Sequence, residues 1–148
     1  MSGHVPVMLG EVLASLAVQA GDLVVDATFG GGGYTRAILA AQPNCKIIGL
    51  DRDPQAVARG KQLEGEQQGR FTMVESQFSQ LDACVTSKAQ AIVLDIGVSS
   101  FQIDQAERGF SFMQDGPLDM RMSGSGPSAA DVVASLSEAE LAHLFFVY

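Results

Sequence analysis

Four consecutive glycines, Gly30 to Gly33, join a strand-like run to a helix-like one, and this junction constrains the fold more than any other stretch. Upstream, Leu23-Val-Val-Asp26 is a short β-branched segment of the kind buried in a parallel sheet. Downstream, residues 35–41 are helix formers. Glycine reaches backbone angles that other residues avoid and lets the chain approach a ligand closely. A strand, an acid, a glycine run and a helix therefore read as the entry of a Rossmann-like nucleotide-binding unit. A glycine cluster alone also serves any α/β turn, so the second acid matters. Asp51 closes the next strand-like run, Lys46-Ile-Ile-Gly-Leu50, and lies 18 residues after Gly33. A carboxylate there can accept both ribose hydroxyls of a bound nucleoside.

The rest of the chain repeats the alternation. Leu9, Val12, Leu13 and Leu16 share one face of an amphipathic helix. Asp53-Pro54 supplies an N-cap and a proline at the first position of a helix to about Leu63. Residues 71–75 read as a third strand, Phe78, Leu81 and Val85 as a helix after it, and residues 91–95 as a fourth strand ending at Asp95. Strands alternating with helices imply right-handed βαβ units, hence an α/β fold with a parallel sheet of four strands.

From Gly97 to Pro127 the composition is that of a loop, with turns at Arg108-Gly109-Phe110 and Asp115-Gly116-Pro117. A capping box, Ser137-x-x-Glu140, then opens a helix with Leu141, Leu144, Phe145 and Tyr148 on one face. The expected organisation is a binding domain over residues 1–103 and the start of a helical subdomain over residues 104–148. The last apolar stripe stops without a cap, which reads as a truncated chain. An uncovered sheet edge or helix face then predicts self-association.

Charge narrows the function classes. The net charge is −8, with three Lys/Arg against ten Asp/Glu in residues 71–148, a surface unsuited to binding nucleic acid by phosphate neutralisation alone. Cys45 and Cys84 are too few for a disulfide framework or a zinc site of their own. With no secretion-like leader and no apolar run near the roughly 20 residues of a membrane helix, the expected setting is cytoplasmic, without membrane or metal.

The ligand class follows from what the glycine run lacks. The sixth position of G-x-G-x-x-G falls on Thr35 or Arg36, and no G-x-x-x-x-G-K-[ST] loop is present. An acid before the glycines also disfavours a pyrophosphate. It suits a ligand with a cationic amino acid end and a nucleoside end, such as S-adenosylmethionine, by analogy with methyltransferases as a class. Asp95-Ile-Gly-Val-Ser99-Ser100 lies where open α/β sheets place their chemistry, although an acid there also serves as an ordinary loop cap.

Longer motifs carry a family resemblance. His4-Val-Pro-Val-Met-Leu9-Gly-Glu11, Asp26-Ala-Thr-Phe-Gly30-Gly-Gly-Gly33, Asp51-Arg-Asp-Pro54, Asp95-Ile-Gly-Val-Ser-Ser100, Gln102-Ile-Asp104, Arg108-Gly-Phe-Ser-Phe112 and Asp115-Gly-Pro-Leu-Asp-Met-Arg-Met122 together resemble the RsmH (MraW) family. The resemblance runs from His4 to Tyr148. It implies a bacterial S-adenosylmethionine-dependent methyltransferase acting on the exocyclic N4 of a cytidine in 16S rRNA of the small ribosomal subunit. It implies that Gly32, Gly33 and Tyr34 line the methionine end of the cofactor. Asp51 would hold the ribose and Phe78 the adenine, with Asp95 and Gln102 completing the site. Tyr34 stands where the family usually has histidine, and Phe101 where proline is common. Full-length members continue well beyond residue 148.

On this reading Asp95 is the candidate acceptor for the N–H bonds of the target amine, with Asp115 and Asp119 weaker candidates. Phe110 and Phe112 could stack on RNA but are read first as anchors of their loop in the core, and His4 as an anchor of the N-terminus. Arg108 and Arg121 fit RNA contact or structure equally. The competing reading is a truncated, inactive cofactor-binding or interaction module.

Overall fold

The computed structural model describes residues 6–148; His4 lies outside the described residues. The chain divides into two compact units, Met1–Ser99 and Ser100–Tyr148. The parting falls before the short helix at Ser100–Ile103, which the sequence had placed with the first domain.

The first unit is an α/β domain. In chain order it contains α1 (Leu9–Leu16), β1 (Leu23–Asp26), α2 (Gly33–Ala41), β2 (Lys46–Asp51), α3 (Pro54–Glu66), β3 (Phe71–Glu75), a 3₁₀ turn at Phe78–Gln80, α4 (Leu81–Cys84) and β4 (Ala91–Val93). The strands form one parallel sheet in the order β3-β2-β1-β4. The register pairs Val25 with Ile48 on one side and with Ile92 on the other. The chain builds outward from β1 to β3 and then crosses back to lay β4 on the far side of β1. That reversal makes the carboxyl ends of β1 and β4 the switch point of the sheet, the usual ligand position in open α/β sheets.

Strand alternation divides the core between the two faces. On one face Val24, Phe29, Ile38, Leu39, Ile47, Leu63, Phe71 and Met73 pack with Leu13 and Leu16 of α1, so the predicted amphipathic face of α1 is the covered one. On the other, Val25, Ala27 and Leu50 pack with Leu81, Cys84 and Val85. Asp53 caps α3 as expected, its carboxylate accepting from the Gln55 amide at 2.9 Å ahead of Pro54.

Two elements differ from the sequence expectation. The helix after β3 is only a 3₁₀ turn and one α-turn. β4 ends at Val93, because the Asp95 amide turns away from the sheet to donate to the Thr28 hydroxyl at 2.7 Å.

The second unit contains α5 (Ser100–Ile103), a 3₁₀ turn at Ala106–Arg108, α6 (Ala129–Ser135) and α7 (Glu138–Val147). Ser137 and Glu140 form the predicted capping box. A second box, Ser128 with Asp131, opens α6, a helix the sequence reading did not mark.

Candidate functional site

The glycine turn is shaped by two constraints. The Gly32 amide donates to the Phe29 carbonyl at 2.7 Å, closing a tight turn. Gly32 has φ +76°, and a Cβ there would lie 2.6 Å from the Phe29 ring, which is stacked on Phe71 at a centroid distance of 5.4 Å. Only glycine satisfies both the angle and the space.

Asp51 at the end of β2 is oriented by the backbone. Its Oδ2 accepts the Gly30 amide at 2.7 Å and its Oδ1 accepts the Asp53 amide at 2.9 Å. Each oxygen keeps a further lone pair, so the carboxylate can accept two hydroxyls from a diol without rearranging. Arg59 of α3 reaches the same turn, its Nε donating to the Gly30 carbonyl at 3.4 Å. Burial pulls the Arg59 guanidinium down, while the Asp53 and Asp51 charges hold it up. Sequence reading missed Arg59, which no motif marks.

Asp26, the acid before the glycines, points inward. It is 1% exposed, and its Oδ2 accepts the Thr35 hydroxyl at 2.7 Å. Burial pushes this carboxyl up to about 6, with the Asp51 charge adding to the rise, against the hydrogen bonds from Thr35 and Thr28. Asp26 therefore braces the end of β1 against the first turn of α2 beneath the glycines. Thr28 plays the matching part toward β4 by accepting the Asp95 amide.

Tyr34 is buried in the first turn of α2, and its phenol donates to the Val7 carbonyl at 2.7 Å. Burial raises the phenol, and the Asp95 and Asp26 charges add to it, so all three groups are electrostatic neighbours. The Asp95 side chain is exposed just beyond β4. Phe78 is 44% exposed at the start of the 3₁₀ turn after β3, two strands out from β1. Gly32, Gly33, Tyr34, Asp51, Phe78 and Asp95 thus share the first unit, all at or just beyond the carboxyl edge of its sheet. Gln102 belongs to the second unit, where its side chain is buried.

Within the second unit both arginines are engaged. Arg108 donates through Nη2 to the Arg121 and Met122 carbonyls at 3.2 and 3.1 Å, and its guanidinium lies 5.7 Å from the centre of the Phe110 ring. Arg121 grips the Asp119 carboxylate through Nε and Nη2, and these bonds hold Asp119 down to about 2. Phe110 is half-buried, as an anchor would be. Phe112 is not an anchor: it lies in a bend of the chain and is 96% exposed.

Among the described residues, no group of three or more His, Cys, Asp or Glu is placed to hold a metal ion. No helix there is long and apolar enough to cross a membrane. The donor set fits a nucleoside diol at Asp51. A pyrophosphate would meet two carboxylates, Asp51 beside the glycine turn and Asp26 beneath it, and no lysine at the turn.

The fold defines the class: a Rossmann-like α/β domain with a four-stranded parallel sheet. Solved structures with this fold include an rRNA methylase from Streptococcus thermophilus (TM-score 0.50, 23% identity, 66% of this chain and 57% of that one). A conserved hypothetical protein from Streptococcus pyogenes is also similar (TM-score 0.51, 17% identity, 61% of this chain and 57% of that one). The model of the MraW methylase family matches residues 1–148, and the chain belongs to that family. Relatives named ribosomal RNA small subunit methyltransferase H are 57% identical in Xanthobacter autotrophicus, over 97% of this chain and 42% of that protein. The one from Maricaulis maris is 55% identical, over 98% of this chain and 44% of that protein. The chain thus spans less than half the length of these relatives.

Proposed function

We propose that this chain forms the S-adenosylmethionine-binding portion of an rRNA methyltransferase, and that the reaction methylates the exocyclic N4 of a cytidine in 16S rRNA. The observation that carries the reading is Asp51, a carboxylate held by two backbone amides beside a glycine turn and still able to accept a diol. The names of the relatives supply the substrate class.

S-adenosylmethionine, when bound, supplies an activated methyl on a sulfonium. The residues of this chain do the rest. Asp51 accepts the ribose hydroxyls, Gly32, Gly33 and Tyr34 border the methionine end, and Phe78 covers the adenine. Gln102 is a further cofactor residue by the family resemblance alone. Cytosine N4 is a weak nucleophile because its lone pair is delocalised into the ring. Asp95, exposed just beyond β4, would accept an N–H of that amine and raise its electron density as the N–C bond forms, while the methyl–sulfur bond of the sulfonium breaks to leave a neutral thioether and the amine proton passes through the carboxylate to solvent. The base leaves its stack to reach the carboxylate. With Arg108 and Arg121 tied to their own loop, recognition in this part of the protein rests on shape and stacking more than on charge. The setting of such a reaction is the cytoplasm, with the ribosomal subunit. Self-association is part of the proposal, through the outer edge of β4, where Ile92 is exposed, or the α7 face carrying Phe145.

Calorimetric titration with S-adenosylmethionine, of the wild-type chain and of Asp51→Ala, tests the reading. Saturable binding that the variant loses supports it. A folded chain that takes no cofactor overturns it. Light scattering that finds a strict monomer at high concentration removes the self-association.

A further inference from the structure

The segment ahead of α1 crosses the start of α2 as a short strap, and the side chains of Val7 and Met8 do not hold it there. Val7 is 73% exposed and Met8 62%. Two features fix it instead, and they impose a third. The Tyr34 phenol donates to the Val7 carbonyl at 2.7 Å. The Pro6 ring fills the space where a Cβ of Gly33 would lie, so the absence of a side chain at Gly33 makes the seat for proline. Met8 takes the left-handed conformation, φ 56°, which turns the chain sharply into α1. That angle costs a non-glycine residue of the order of 1 kcal/mol, so it persists only while its surroundings impose it. Beyond the kink, Leu13 and Leu16 anchor α1 to the core.

We propose that Tyr34 is a positioning residue for the cofactor: its hydroxyl latches the Pro6–Met8 strap over Gly33, and the latched strap forms one wall of the methionine end of the pocket. This rests on the cofactor reading given above. Tyr34 then borders the ligand through the backbone it shares with Gly33, while its side chain works on the strap. A pocket closed on that side retains a small ligand longer, so the latch acts chiefly on departure.

The test compares wild type, Tyr34→Phe and Pro6→Ala. Hydrogen exchange over residues 6–12 reads the strap, and stopped-flow binding of S-adenosylmethionine reads the pocket. Loss of one neutral hydrogen bond corresponds to about a five-fold change. Tyr34→Phe is expected to speed exchange over the strap and raise the dissociation rate about five-fold. Its association rate and unfolding midpoint stay near wild type, because the strap can detach without opening the sheet. Pro6→Ala, which leaves the phenol intact, moves both readouts in the same direction. Unchanged exchange in Tyr34→Phe overturns the latch. Faster exchange with an unchanged dissociation rate overturns its role toward the cofactor. A folded wild-type chain that binds no S-adenosylmethionine fails earlier and overturns the cofactor reading itself, an outcome distinct from either.

Discussion

The Asp51 carboxylate and the Gly30 amide meet at 2.7 Å across 21 residues of sequence, joining the end of the second strand to the turn that leaves the first. The bond ties this carboxylate to the glycine turn. Asp51→Ala removes the acceptor and releases the Gly30 and Asp53 amides together. A hydrogen bond to a charged group contributes roughly 1.5–3 kcal/mol, so S-adenosylmethionine affinity should fall about ten- to a hundred-fold. Asp51→Asn keeps the shape with one acceptor oxygen and should fall between. Calorimetry giving equal affinity for all three would remove Asp51 from the site.

Gly32→Ala should cost about 1–3 kcal/mol, since it combines a positive φ with overlap on a ring that cannot yield. Gly65 in α3 is the control, with nothing near its missing Cβ. Gly65→Ala should stabilise by about 0.5–1 kcal/mol. Urea unfolding of the pair measures both, and a neutral Gly32→Ala would mean that the Phe29 contact is soft.

Asp26 gives the chain a pH dependence of unusual sign for a carboxylate. Its folded-state value is raised from 3.8 to about 6, so the native state binds a proton more tightly than the unfolded state. The stabilisation is complete below about pH 4, and it is lost as pH rises through about 6. A shift of this size corresponds to about 3 kcal/mol. Wild type should therefore melt at a lower temperature at pH 7 than at pH 5. Asp26→Asn should flatten that slope, and a slope that survives the substitution would assign it to another group.

Arg108 is expected to behave as a brace. Lysine keeps the charge and loses the planar fork that reaches two carbonyls at once. Arg108→Lys should speed hydrogen exchange over residues 108–130 about ten-fold, in line with about 1–2 kcal/mol of lost hydrogen bonding. If exchange there is unchanged, the two carbonyl contacts contribute nothing to the loop.

Local signals were readable and distant ones were not. The sheet, the glycine turn, Asp51 and the Asp53 cap all follow from residue types at short spacing, where β-branched runs, caps and turns write themselves into neighbouring positions. The Ser128–Asp131 box escaped because its acid is an aspartate behind a Ser/Gly/Pro stretch. The Tyr34–Val7 bond spans 27 residues and leaves no periodic trace. Phe112 is the instructive error, since an aromatic among glycines and arginines looks the same whether it turns in or out. The inward turn of Asp26 was hidden for the same reason: the sequence shows that an acid is present and not which way it points.

The strand order carries a consequence for synthesis. β1 takes β2 on one side early, yet its other neighbour begins only at Ala91, whose register partner is Val24. At roughly 5–20 residues per second, a ribosome needs several seconds to deliver that partner. During that interval the bare edge of β1 must remain open to a strand still to come and closed to every other one.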